Sequence, residues 1–108
     1  MAVTFVTHEG SVTDLQLVGA QSGKRIVVLR VACHTPAAGT LILNTRAGAA
    51  RGAALCGALT VVTSRLNDID FGRAYALATN VGEALSADLT IGASTDDVAL
   101  TIWYEVVP

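Results

Sequence analysis

The sequence has little charge and few aromatic residues. Of its 108 residues, 15% are Asp, Glu, Lys or Arg and 5% are Phe, Trp or Tyr, whereas 52% are hydrophobic. Typical domains carry about 25% charged residues, so we expect this chain to hide apolar surface in an oligomer interface or a docking surface. With so few rings available, the core must consist mainly of Val, Leu, Ile and Ala side chains.

A concentration of basic charge and long apolar runs are also missing. The net charge is −2 and the seven basic residues are scattered, so the chain lacks the electrostatic footprint of a nucleic-acid-binding protein. No apolar stretch approaches the roughly 20 residues that cross a bilayer, and the first residues lack the basic segment of a signal peptide. We therefore expect a soluble chain, made in the cytoplasm, with neither nucleic acid nor membrane as a partner.

The two cysteines, Cys33 and Cys56, form no Cys-x-x-Cys unit and have no histidine at a zinc-ligand spacing. We interpret them as buried thiols that pack like small hydrophobic side chains. A disulfide between them would require neighbouring strands, which the sequence leaves open. Carboxylates cluster in residues 67–70 and at Asp96 and Asp97, but their spacing does not match a calcium-binding EF-hand loop. We predict solvated loops there, with no metal site and no cofactor; calcium bound at a symmetric interface is the alternative.

Motifs for catalysis are absent from the sequence. His8 and Glu9 are adjacent, so on a strand their side chains point to opposite faces. The serines do not lie in a Gly-x-Ser-x-Gly elbow, and residues 19–25 fall one residue short of a phosphate-binding loop. We predict no catalytic residues and a protein that is not an enzyme.

Short apolar runs alternate with Gly-rich turns along the whole chain, which is typical of sandwiches and jelly rolls. The pattern predicts an all-β protein, an antiparallel, jelly-roll-like β-sandwich of about eight strands. We expect residues 25–33, rich in β-branched side chains, to be buried on both faces. The predicted strands are residues 12–18, 24–34, 40–44, 53–63, 73–78, 85–91 and 98–107, with residues 1–10 forming an N-terminal arm or edge strand and residues 11–108 a single domain.

Two segments lack a clean strand pattern. Residues 47–59 are rich in Ala but interrupted by Gly, and we predict a loop followed by a strand from residue 53, with a short helix as the alternative. Residues 64–72 are polar, and we predict irregular structure. In the last strand, Trp103 and Tyr104 must face opposite sides: one ring is expected in the core, and the other either caps the sandwich or anchors a subunit interface.

Three stretches carry a family resemblance: SGKRIVVL (residues 22–29), NVGEAL (residues 80–85) and TIWYEV (residues 101–106). In this order and spacing they resemble small β-sandwich proteins encoded among the structural genes of tailed bacteriophages. The resemblance covers residues 20–108. It implies a trimeric jelly-roll module without catalytic residues, which serves as a capsid decoration (cement) protein or as a module of a head or tail fibre.

From this resemblance we expect a decoration protein that binds the outer surface of the head as a homotrimer, contacts the major capsid protein and stabilises the shell. It would be assembled in the host cytoplasm and reside on the virion surface. A head- or tail-fibre or receptor-binding module is the alternative. The N-terminal segment could add a strand to a free edge of the capsid protein. The expected capsid contacts are Val3, Phe5, Val6 and His8, and the expected trimer contacts are Trp103, Tyr104 and Arg73.

Overall fold

A computed structural model describes residues 1–48, 50–63, 66–72, 77–93 and 96–108, and this described part contains ten β-strands and no helix. The strands form two antiparallel sheets, which we call sheet 1 and sheet 2. The strands are β1 (Ala2–Glu9), β2 (Val12–Val18), β3 (Arg25–His34), β4 (Gly39–Ala47), β5 (Ala50–Ala54), β6 (Leu59–Val61), β7 (Leu66–Asp70), β8 (Leu77–Ala78), β9 (Ala84–Ile91) and β10 (Asp97–Val107).

The two sheets have the strand arrangement of a jelly roll. Sheet 1 has the order β1-β10-β3-β7, with β8 also pairing with β3, and sheet 2 has the order β2-β9-β4-β5, with β6 also pairing with β4. Because β7 and β8 share one edge, and β5 and β6 another, the ten strands fill eight positions in two four-stranded layers. The predicted antiparallel, jelly-roll-like sandwich of about eight strands is therefore confirmed.

The core lies between the sheets and is built almost entirely from aliphatic side chains. In β3, Val28, Val31 and Cys33 point into it and are at most 1% exposed, while the outward-facing Ala32 is also only 6% exposed. The prediction that this strand is buried on both faces is confirmed for the side that faces the core and only in part for the outer side, where Val27 and Arg30 are half-buried. The other inward-facing residues of the cluster include Leu41, Leu43, Leu85, Ala87, Leu89, Val98, Leu100 and Ile102.

One irregularity in β3 decides which side chains reach the surface. Trp103 of β10 pairs with Arg30, but the next residue, Tyr104, pairs with Val28, so Leu29 is an extra residue on β3. This is a β-bulge. Because the bulge reverses the alternation of faces, Arg30 points outward although Val28, two residues earlier, points into the core.

The sequence-based expectations were wrong in two polar or Ala-rich segments. Residues 66–70, expected to be irregular, form β7 and pair with β3. Asn67 holds this strand in place: its Nδ2 donates to Cys33 O (3.1 Å) and to Val62 O (3.0 Å), and its Oδ1 accepts from Val62 N (2.9 Å). Residues 50–52, expected to lie in a loop, belong to β5, and the strand expected over residues 53–63 is interrupted at residues 55–58. The helix alternative is wrong for the described residues of this segment. Of the strand expected over residues 73–78, residues 73–76 lie outside the described part and residues 77–78 form β8.

The cysteines are both free. Cys33 is in the core, and burial raises the pKa of its thiol to about 11. Cys56, in the interruption between β5 and β6, is half-buried, and partial burial also raises its pKa. The disulfide that the sequence left open is therefore not formed.

Gly39 is the position where added volume should harm the fold most. A Cβ at Gly39 would lie 1.9 Å from the backbone oxygen of Thr90, whereas a Cβ at Gly57 would meet nothing within 4 Å. Gly39→Ala must push β4 away from β9, and we expect it to lower the free energy of unfolding by about 1–3 kcal/mol or more. Gly57→Ala is the matched control and should be neutral or stabilise by less than about 1 kcal/mol. Urea unfolding measures both; equal effects would contradict the close approach of β4 and β9.

The thiols should differ in reactivity because the thiolate is the reacting form and burial disfavours it. We expect a thiol reagent to modify Cys56 slowly in the native protein, at a rate that increases with pH. After denaturation without a reductant, the reagent should modify both thiols. Cys56→Ser should leave no reactive thiol in the native protein. Fast labelling of native Cys33, or no labelling of the denatured chain, would contradict the structure.

Candidate interaction face

The described residues offer surfaces rather than an enclosed site. They form no ligand-sized cavity and no group of three or more His, Cys, Asp or Glu residues arranged to hold a metal ion. Nor does any helix in the described part have the length and apolar character to span a membrane. The features that stand out lie on the two outer faces of the sandwich.

The outer face of sheet 1 carries exposed apolar side chains on its edge strand β1. Phe5 is 65% exposed and Val3 is 53% exposed, and both point away from the core on β1. Val3 lies directly opposite Trp103 in the register of β1 and β10, and Phe5 lies opposite Thr101. We call this surface the Trp103 face and define it by Val3, Phe5, Arg30, Asp68, Thr101 and Trp103.

Arg30 lies between Trp103 and Asp68 in the middle of the Trp103 face. Its guanidinium lies over the Trp103 ring, 4.6 Å from the ring centroid, in a cation–π contact. The same guanidinium forms a two-pronged pair with Asp68 of β7: Nε donates to Oδ1 at 2.7 Å, and Nη2 donates to Oδ2. This fork-to-fork geometry fixes the orientation of the planar group. The hydrogen bond from Arg30 holds the pKa of Asp68 below its usual range.

The edge of β1 adds backbone groups to this face. β1 pairs with β10 over eight consecutive residues without a register shift, and its other edge pairs with none of the described strands. It contains no proline, glycine or lysine, the residues that commonly protect an edge from pairing with another chain. An extended segment of a partner could therefore hydrogen-bond to β1 while its side chains contact Val3 and Phe5.

The residues expected to contact a capsid divide between two faces. Val3 and Phe5 point outward, whereas Val6 packs against the core and His8 is half-buried opposite Val98, with its Nδ1 3.3 Å from Gly10 O. Only the first two are available to a partner lying on the outer face.

The residues expected at the trimer interface also lie on different sides of the sheet. Trp103 is half-buried on the outer face, and Tyr104 packs against the core, so the prediction that the two rings face opposite sides is confirmed. Arg73 lies outside the described residues. The structure thus brings Trp103 together with Val3, which the sequence assigned to a different surface.

Arg30 and Asp68 were missed by the sequence-based reasoning. The sequence pattern places Arg30 in a buried apolar run and Asp68 in a solvated loop. A charged residue inside the most apolar strand was the available signal, because a buried arginine requires a partner. Its outward orientation depends on the bulge at Leu29, which alternation alone does not predict.

Comparisons with known proteins identify no family. No protein-family model matches the chain, and no curated protein matches it. Among solved structures, it is similar to one described as "CBM4 structure and function", with 13% sequence identity and a TM-score of 0.41 over 96% of this chain and 83% of that chain. A likeness this distant carries no argument about what the chain binds.

The pairing of Arg30 with Asp68 predicts a measurable pKa change. Arg30→Gln removes the charged donor, and we expect the pKa of Asp68 to rise towards its usual value in a carbon-detected NMR titration. Because the pKa of Asp68 is lowered in the folded state, the pair contributes its full stabilisation of the fold at pH values above the ordinary Asp pKa. This contribution is lost as the pH falls through the lowered pKa of Asp68 in the folded protein. The contribution to stability should be small, since both groups are exposed.

The control for this titration is Arg46→Gln, which removes an arginine from the opposite sheet and should leave the pKa of Asp68 unchanged. Trp103 is the single tryptophan, so its fluorescence should change in Arg30→Gln and not in the control. An unchanged Asp68 pKa in Arg30→Gln would contradict the described pair.

Proposed function

We propose that this chain is a capsid decoration protein of a tailed bacteriophage, which binds the outer surface of the head as a homotrimer and stabilises the shell. The observation that carries the proposal is the exposed pair Val3 and Phe5 beside Trp103, on an edge strand whose outer side is unpaired among the described strands. The sequence resemblance over residues 20–108 supplies the class of partner. The proposed mechanism is the burial of surface, with no catalytic step.

Burial of the Trp103 face would supply the binding free energy. Fully burying one large apolar side chain contributes about 1.5–3 kcal/mol, and every 1.4 kcal/mol changes an affinity about tenfold. A trimer that engages three equivalent capsid sites at once multiplies such modest contacts, because the second and third contacts form within one complex. A charge-poor β-sandwich with one apolar outer face suits that role.

Arg30 favours a protein partner over a sugar as the occupant of this face. Its guanidinium already covers one side of the Trp103 ring, so that side is not available for stacking with a flat sugar ring. The freely exposed ring is Phe5, which has no polar group to orient a hydroxyl. This argues for the decoration role over a receptor-binding role at this face.

The test is co-sedimentation of the purified protein with undecorated, expanded capsids of its own virus, with the bound copies counted. We expect saturation at a multiple of three copies per lattice site and a trimer in analytical ultracentrifugation. No binding to these capsids, with the protein found instead in tail or fibre fractions, would overturn the proposal in favour of a receptor-binding module.

Point substitutions on β1 locate the contact better than a deletion of residues 1–9, because β1 also contributes Val6 to the core. We expect Phe5→Ser and Val3→Ser each to weaken capsid binding by about tenfold or more without changing the melting temperature. Val81→Ser is the matched control: Val81 is 50% exposed, close to the 53% of Val3, but lies in a turn away from β1. Equal loss in Val3→Ser and Val81→Ser would argue against the Trp103 face.

A further inference from the structure

The outer face of sheet 2 contains two buried polar side chains with unused hydrogen-bonding atoms. Asn44 and Ser86 are direct cross-strand partners on β4 and β9, and both point away from the core because their neighbours Leu43, Leu85 and Ala87 point into it. Asn44 is 2% exposed and Ser86 is 0% exposed, yet Asn44 Nδ2 and Ser86 Oγ have no hydrogen-bond partner. Folded proteins rarely leave such groups unsatisfied, and each case calls for an explanation.

Arg46 crosses the outer face of sheet 2 at Ser86, one member of this polar pair. It projects from β4 opposite Ala84 of β9, and its guanidinium reaches β2 on the far side of β9. Nε donates to Asp14 Oδ2 at 2.9 Å and Nη1 donates to Gln16 Oε1 at 3.0 Å. Since Gln16 lies opposite Ser86 in the register, the side chain of Arg46 must pass above Ser86 to make these bonds.

Arg46 is a movable side chain whose ion-pair partner comes from a distorted part of β2. Asp14 has a φ of +58°, in the left-handed region that few residues other than glycine adopt, and the register of β2 shifts on either side of Leu15 and Gln16. The side chains of Arg46 and Asp14 keep 22% and 19% of their surface exposed. A rotation of Arg46 about its side-chain bonds would open the outer face above Ser86, and Asn44 lies directly beside Ser86 on the neighbouring strand.

The charges around this pair disfavour an ionic ligand. Arg46 contributes one positive charge, and Asp14 and Asp88 contribute two negative charges, with Asp88 Oδ1 accepting from Asp14 N at 2.8 Å. An anion would meet net negative charge, and a cation would meet a position that Arg46 already fills. The outer face carries a row of hydroxyls, Thr40 beside Thr60 and Thr90, and the aliphatic Ile42 lies between that row and Asn44 on β4. One aliphatic side chain among these polar groups supplies little of the apolar area found at the centre of a typical protein interface.

We propose that Asn44, Ser86 and Arg46 form a binding site for a neutral, hydroxyl-rich ligand, a saccharide or another polyol. A hydroxyl both accepts and donates, so one group can accept from Asn44 Nδ2 while bonding to Ser86 Oγ, and a neighbouring hydroxyl can donate to a carboxylate. Arg46 swings outward when the ligand enters. This site goes beyond the proposed decoration function and lies on the opposite sheet from the Trp103 face.

The first arm of the test measures stability in the absence of ligand. Ser86→Ala removes a buried hydroxyl that has no partner, so we expect an unchanged or higher melting temperature. The matched control is Thr79→Val, because the Thr79 hydroxyl is equally buried but accepts from Ile26 N at 3.0 Å, and its loss should lower the melting temperature. If Ser86→Ala lowered the melting temperature as much as Thr79→Val does, the Ser86 hydroxyl would be needed for the stability of the fold, and the proposal would be overturned.

The second arm measures binding with named probes. D-glucose, D-galactose, N-acetyl-D-glucosamine and glycerol are titrated into isotope-labelled protein, and the resonances of the Asn44 side-chain amide and the Ser86 backbone amide are followed by NMR. We expect both to shift, with affinity about tenfold weaker in Ser86→Ala. Shifts with sugars alone would assign a saccharide site, and shifts with glycerol as well would assign a general polyol site.

Absence of shifts with all four probes would overturn the proposal, as would shifts that Ser86→Ala leaves unchanged. Appearance of these shifts only on addition of capsids would overturn it in favour of a protein contact. Ser86 and Asn44 do not belong to the Trp103 face, so co-sedimentation with capsids is expected to be the same for wild type and Ser86→Ala. The two proposals can therefore fail separately.

Discussion

Burial of small aliphatic side chains between two sheets is the constraint on which the rest of this structure depends. β3 and β10, central in sheet 1, supply many of these side chains, and β4 and β9 supply the opposite wall. With 5% aromatic residues, the core has few large rings to fill gaps, so the sheets must approach closely and evenly.

Two arginines, Arg30 and Arg46, organise the two outer faces. On sheet 1, Arg30 joins Trp103 to Asp68 across three strands, and on sheet 2, Arg46 joins β4 to Asp14 of β2 across β9. Arginine suits both positions because its planar fork can meet several acceptors while keeping its charge. The two outer faces nevertheless differ: one presents apolar side chains at an edge, and the other presents polar side chains over a buried polar pair.

The fold class and most strands could be predicted from the sequence, because alternation of apolar residues and glycine-rich turns reports directly on burial. β7 could not be predicted, since Asn67 and Asp68 disfavour strands locally and are held there by bonds to β3 and to Val62. The site was predicted in part: the exposure of Val3 and Phe5 follows from the alternation in β1. Their proximity to Trp103 depends on strand order, which joins the first and last strands of the chain and which no local pattern encodes.

The bulge at Leu29 gives β3 a second property. If β3 kept all its residues but paired with β10 without a bulge, strict alternation would place Ile26, Val28 and Arg30 on one side of the strand, and the arginine would enter the core unpaired. Deleting Leu29 would instead remove the bulge and keep Val28 facing the core and Arg30 facing outward. Relatives of this chain should therefore either keep the extra residue or lose it by a deletion at this point, and a straight β3 of the same length should carry an aliphatic side chain in place of Arg30.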